Sequence, residues 1–160
     1  MKTIFVTFAA LLVSASAFAM PTIGDHSVFN LSYTQQGNTM TGTLDQSITA
    51  FDSASGNYTV HSIVTLGKQN DVQDQQTNQL LDDATVADIL ANCANYQGQP
   101  QSVTVPAGTF NTCALPNNGN DGSKGTVWVG NVSFGTVKFD QVKTDGTHIV
   151  LELQSFQLGK

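Results

Sequence analysis

The sequence predicts a mainly β (α+β) protein: a curved antiparallel sheet or incomplete β-barrel of about eight strands, with one short helix and one disulfide. Three observations lead there. From Ser27 onward, apolar and polar residues alternate with period two in successive runs, the pattern of half-buried strands. Turn-forming clusters such as Gln36-Gly37-Asn38 and Asp52 to Asn57 separate these runs. One stretch, around Val86 to Cys93, carries its apolar residues at helical spacing instead.

In the first run Phe29, Leu31 and Tyr33 point one way, and Asn30, Ser32 and Thr34 the other. The second run puts Met40, Leu44, Ile48 and Ala50 on one face, and the third does so with Tyr58, Val60, Val64 and Leu66. Val72 to Gln79 is nearly all Gln, Asn, Asp and Thr, which reads as an exposed edge strand or loop. The helix follows. Thr85 is placed to cap it, with Asp88 three residues on as the capping-box partner. Val86, Ile89, Leu90 and Cys93 share one face, and Gln97-Gly98-Gln99-Pro100 stops the helix. Ser102–Val105 and Thr109–Leu115 make a hairpin around Val105-Pro106-Ala107-Gly108, a type I turn pattern. After the polar loop from Pro116 to Lys124, three strands complete the chain: Thr126–Val129, Val132–Val142 and His148–Phe156. No repeat or linker divides residues 20–160, which read as a single domain.

Residues 1–19 read as an export signal. Met1-Lys2 is positive, Ile4–Val13 is apolar, and Ser14–Ala19 ends in the small-x-small pattern that signal peptidase cuts. The apolar run is about half the 20 residues a membrane-spanning helix needs, and no later stretch is apolar enough to span. The expected location is the periplasm or the medium of a bacterium. The formal charge is −6, all six basic residues are lysines, and removal of Lys2 with the signal brings it to −7. That sign disfavours nucleic acid and anionic membrane surfaces. The absence of arginine removes the planar fork that grips phosphate or carboxylate bidentately. Charged residues are 11% of the chain, against roughly 25% in average proteins, so solubility rests on Thr, Ser, Asn and Gln.

Cys93 and Cys113 are the strongest local signal. Two cysteines in an exported chain, one on a helix face and one in a strand, read as a structural disulfide. A redox pair would favour a close Cys-x-x-Cys, and zinc needs further ligands. His26, His61 and His148 are isolated in sequence, with no spacing that suggests a triad or a metal site. Asp82-Asp83 precedes a helix start, where negative charge is favoured in any case. The Asn117–Lys124 loop lacks the residue order of a calcium loop. Asn30, Asn57 and Asn131 begin glycosylation sequons, which matter only in a host that glycosylates. No nucleophile elbow, phosphate loop or nucleotide fingerprint is present, and no cofactor is called for.

The aromatic residues Phe110, Trp128, Phe134, Phe139 and Phe156 cluster in the last third of the chain. They are either the core of the sheet or the lining of an apolar hollow that a single short helix leaves unfilled. Phe110, Trp128 and Phe134 are the candidate ligand face. At these residues the chain resembles a group of exported bacterial proteins. The likeness rests on Val105-Pro-Ala-Gly-Thr-Phe110, Cys113, Trp128, Gly135-x-Val-Lys138 and Glu152-Leu-x-Ser-Phe156, over about residues 100–157. Such proteins are similar in architecture to incomplete β-barrels of the periplasmic lipoprotein-carrier type, in which a curved sheet wraps around helices. The resemblance implies a concave face able to hold an apolar chain. Carriers of that type have several helices and this chain has one, which bears on the size of any cavity.

Two functions fit. The first is a non-enzymatic periplasmic or secreted binding protein with an apolar small molecule on the concave sheet face. The second is an envelope structural or interaction module that engages an envelope protein through its sheet edge or polar face. An exported hydrolase ranks below both for want of a nucleophile–base pair. The oligomeric state is not written in the pattern. Export is expected to remove residues 1–19, so intact-mass measurement on protein from a bacterial host should give a chain starting at Met20. Stable full-length precursor in the cytosol would contradict this reading.

Overall fold

The computed structural model describes residues 21–159; the export signal read over residues 1–19 lies outside them. Nine antiparallel strands form one open sheet, one strand more than expected. They are β1 (His26–Gln35), β2 (Asn38–Asp52), β3 (Asn57–Leu66), β4 (Gln69–Thr77), β5 (Gln99–Val105), β6 (Gly108–Pro116), β7 (Lys124–Val129), β8 (Thr136–Val142) and β9 (His148–Gln157). Helix α1 (Asp83–Ala91) joins β4 to β5. The strand order is β4-β3-β2-β1-β9-β8-β7-β6-β5. The helix therefore carries the chain from one edge of the sheet to the other. The run read as an exposed edge strand or loop is the edge strand β4, rich in Gln and Asn. Its side chains are exposed on both faces from Gln69 to Gln76, so no apolar alternation marks it.

Local chemistry explains most boundaries. The β1–β2 hairpin turns at Gln36 (φ 50°) and Gly37 (φ 78°). Both are left-handed, the two-residue turn whose twist suits antiparallel strands. A register shift at Thr49 changes the facing of the end of β2. Ile48 is buried beside Val60, but Ala50 turns outward opposite Thr59. Phe51 takes the inner place beside Tyr58, with ring centroids 4.6 Å apart. Ala50 was expected beside Ile48, and the bulge is why it is not. Met40 also lies exposed near the turn.

The helix begins earlier than Thr85. Asp82 is the N-cap, and its carboxylate accepts the Thr85 backbone N–H at 2.7 Å. Asp88 closes no capping box; it accepts from the Asn92 amide at 2.7 Å and from the Tyr96 hydroxyl. Thr85 and Asp82 are both capping residue types three apart, and the carboxylate takes the site. The run read as one strand from Val132 to Val142 is interrupted: a short helical turn at Ser133–Gly135 precedes β8.

Two apolar clusters fill the concave side. One joins Val86, Ile89 and Cys93 to Cys113 and Val129, with Leu90 and Leu115 packed against it, and so seats the helix on β6 and β7. The other joins Phe29, Val132, Val137 and Leu153 to Val105. It forms because the β5–β6 hairpin outruns β7, whose pairing with β6 covers only Cys113 to Pro116. The free end of the hairpin folds over the concave side, and the Ala107 N–H donates to the Leu153 carbonyl at 3.0 Å.

The Cys93–Cys113 bond links the segment after the helix to β6, with Cα atoms 5.6 Å apart. Gly98 passes against it. A Cβ there would stand 2.5 Å from the Cys113 sulfur and 2.7 Å from a Leu115 methyl, closer than real carbon atoms approach, so no larger residue fits. Replacing both cysteines with alanine should lower the unfolding free energy by about 3 kcal/mol, the chain-entropy value for a loop of about 20 residues. Denaturant melts would measure this, with far-UV circular dichroism unchanged below the transition.

Candidate functional site

The concave side narrows to a small hollow at the mouth between the helix start and the two ends of the described chain. Ile48, Leu80, Leu81, Val132, Phe134 and Leu158 are among its apolar lining, and Thr22, Asp25, Asp83 and Ser133 among its polar lining. The enclosed space is about 30 Å³, room for one or two waters. Leu158 is 56% exposed, so the rim carries an open apolar residue beside the polar groups of Thr22, Asp25 and Ser133.

Each wall is held in place. Asp25 is buried; its carboxylate accepts from the Gly159 N–H at 2.7 Å and the Thr22 N–H at 2.9 Å. Its carbonyl accepts from Ile48 N–H at 2.9 Å. This one residue ties the segment before β1, the segment after β9 and the middle of β2 together. Opposite, the Ser133 hydroxyl donates to the Gln157 carbonyl at 2.6 Å, and its carbonyl accepts from the Ser27 hydroxyl. Phe134 has φ 60° and ψ 4°, a left-handed conformation that costs an aromatic residue on the order of 1–3 kcal/mol. Gly135 follows at φ 67°, where a Cβ would press on Leu81 and Val86. The turn thus trades backbone strain for placing the Phe134 ring at the hollow's edge.

The three residues read as a ligand face are separated by the fold. Phe134 lines the hollow. Phe110 is on the folded-over hairpin, packed on the cluster that contains Val132 and edge-on to Phe156 at 6.1 Å. Val132 belongs to that cluster and also lines the hollow. Trp128 points to the other side of the sheet. It pairs with Lys138, which pairs with Glu152, which pairs with exposed Asn30. The neighbouring row Val127, Phe139, Leu151 and Leu31 is the inward one. The Lys138 ammonium stands 5.7 Å from the centre of the Trp128 rings and 2.8 Å from the Glu152 carboxylate. The Trp128 indole N–H is buried without an acceptor among the described residues.

Sequence spacing gave no hint of a further arrangement on that outer face. Each of the three histidines bonds an aspartate across a strand pair: His26 to Asp45 at 2.8 Å, His61 to Asp74 at 2.7 Å, and His148 to Asp140 at 2.8 Å. Partners lie between 8 and 19 residues apart, so only the register brings them together. The first two pairs are neighbours, with His26 and His61 facing Ser47 from either side, and the third lies farther along the sheet on β8 and β9; all three are on the face opposite the hollow. Among the described residues no group of three His, Cys, Asp or Glu could hold a metal ion. The Asn117–Lys124 loop is closed by its own bonds, Asn117 N–H to Gly125 carbonyl and Gly119 N–H to Ser123 carbonyl. Of the sequons, Asn30 and Asn131 are exposed, but Ser133 of the latter is buried.

No protein-family model matches the chain, and no curated protein does. Solved structures do. One, described as that of an exported protein with a YmcC-like fold from Bacteroides fragilis, is 12% identical, with 88% of this chain and 98% of that one covered, at a TM-score of 0.51. A lipoprotein structure from Parabacteroides distasonis is 12% identical over 86% of this chain and 97% of that one, at 0.48. MucB of Pseudomonas aeruginosa, in its complex with MucA, is 10% identical at 0.45; this chain covers 52% of it, about half its length. The likeness to the Bacteroides structure is one of fold.

Several carboxylates are tuned by the fold. The Asp82 carboxyl is held below its ordinary value of 3.8 by the Thr85 side-chain hydroxyl and then by the Thr85 N–H. Asp88 is lowered by the Tyr96 hydroxyl and then the Asn92 amide, and the Tyr96 phenol is pushed up by Asp88 in return. Asp145 is lowered first by the Thr147 N–H. A depressed carboxylate contributes stability that is complete above its unfolded value and is lost as pH falls through its folded value. The contribution of these exposed carboxylates should therefore be complete above about pH 4 and fade below it. Denaturant midpoints measured across that range would check this, and Asp88→Asn should flatten the acid limb.

Proposed function

We propose that the chain is an exported, non-enzymatic binding protein that takes an apolar group at the mouth of its concave side. The observation that carries this reading is the open rim of Leu80, Phe134 and Leu158 around a hollow, with the Phe134 ring held there by a strained backbone. Strain retained at a cleft is the usual mark of a position selected for something other than stability. A hollow of about 30 Å³ is far below the roughly 300 Å³ of ordinary ligand pockets. An acyl chain or similar group therefore enters by displacing the 78–82 segment, whose Leu80 and Leu81 line the hollow. The non-enzymatic part is supported by the His–Asp pairs being spread over the outer face, away from the hollow. Location in the periplasm or medium rests on the signal-like residues 1–19.

Titration with a fluorescent fatty-acid analogue should show saturable binding in the micromolar range, about −8 kcal/mol. Phe134→Ala and Leu158→Ser should weaken it, with unfolding melts confirming that both variants fold. Trp128→Ala, on the other face, should leave it unchanged. Absence of saturable binding, or loss only with Trp128→Ala, would sink the concave-side reading.

A further inference from the structure

The sheet has two edges, and they are not alike. β5 is seven residues long, carries Pro100, and runs into the hairpin end that the Ala107–Leu153 bond anchors. Proline and burial are two of the ways a protein blunts an edge. β4 uses neither. Its nine residues hold an unbroken register with β3, from Tyr58 opposite Thr77 to Leu66 opposite Gln69. They contain no proline, lysine or bulge, and all but Thr77 are exposed. Val72 stands 58% exposed in the middle. The outer side of such a strand presents a row of backbone donors and acceptors that a further strand can pair with.

We infer that a second copy of this chain pairs there, β4 against β4, antiparallel about a two-fold axis at Gln73. The sequence of the strand selects this occupant. In a continuous sheet, facing residues must lie on the same face, so only registers that pair odd with odd and even with even positions are allowed. The register centred on Gln73 pairs all nine residues. It sets Gln69 opposite Thr77, Asn70 opposite Gln76, Asp71 opposite Gln75, Val72 opposite Asp74, and Gln73 opposite itself. No carboxylate faces a carboxylate. Shifted registers centred on Asp71 or Asp74 would oppose like charges, which is destabilising. In the Gln73 register the amides of Gln75 donate to Asp71 of the second copy, and amide ladders run through the pairs at Asn70 and Gln73. Asp74 is already bonded to His61 at 2.7 Å, so facing Val72 does not strand its charge. The net negative charge of each copy opposes association, but most of it lies beyond the roughly 8–10 Å screening length at physiological salt. This inference goes beyond the concave-side reading and does not depend on it.

Sedimentation equilibrium of the exported protein, from micromolar to about millimolar concentration, is the test. A reversible dimer is expected that strengthens with added salt. Gln73→Lys, which opposes two ammonium groups on the axis, should weaken it about tenfold. Gln75→Lys, which sets a lysine opposite Asp71, should strengthen it. Gln73→Cys should cross-link to itself on oxidation, and Gln69→Cys should not. Circular dichroism melts of each variant show that the monomer is intact. A protein that stays monomeric throughout, a dimer indifferent to both lysine changes, or cross-linking at Gln69 in place of Gln73 would each overturn the proposal.

Discussion

An open sheet of nine strands must have its concave apolar face covered from within the chain, and one nine-residue helix cannot do it. Such a helix is about 14 Å long, enough to seat on two or three strands. The structure covers the remainder with its own hairpin. The end of β5–β6 folds inward, Val105 and Phe110 press on Phe29 and Leu153, and the Ala107–Leu153 bond fixes the fold-over. Burying side chains of this size contributes about 1.5–3 kcal/mol each, so the hairpin is a principal element of the core. It also occupies the space that a wider half-barrel would leave to a ligand, which is why the hollow that persists is small.

The disulfide and the helix act at the other end of the same cover. Cys93 leaves the helix and Cys113 sits where β6 changes from paired strand to free hairpin, so the bond holds both covering elements to a single point. Asp25 does the corresponding task at the mouth, joining the two ends of the described chain to β2 through three hydrogen bonds. Between those two clamps lies the 78–82 segment, with Leu80 and Leu81 lining the hollow and Asp82 capping the helix.

The outer face follows a different logic. With so few charges in the chain, its polarity comes from hydroxyls, amides and four cross-strand ion pairs or His–Asp pairs. Exposed pairs of this kind contribute at most about 1 kcal/mol each. The register sets them, and they help to solvate the sheet. The Lys138 side chain lies over Trp128 and so gives a large aromatic residue a polar cover on the solvent side.

The sequence by itself determined the fold class, most strands, the helix and the disulfide, because each has a local cause: period-two alternation, a helical stripe, turn residues, two cysteines. It also marked β4 as an edge strand or loop, since a strand buried on neither face needs no apolar residues. Tertiary structure decided which way side chains face once the alternation fails. Val127-Trp128-Val129 offers three apolar residues in a row, and only the register that sets Trp128 beside Lys138, itself opposite Glu152, places Trp128 on the outer face. Thr49 carries no mark of a bulge, yet the shift there reverses Ala50 and Phe51. Phe134 sits in a run that alternates well enough for a strand, and the packing of Gly135 on Leu81 and Val86 breaks it. The His–Asp pairs and the Asp25 clasp join residues distant along the chain. Such partners are set by strand register and chain closure, which are properties of the whole sheet, and no local pattern encodes them.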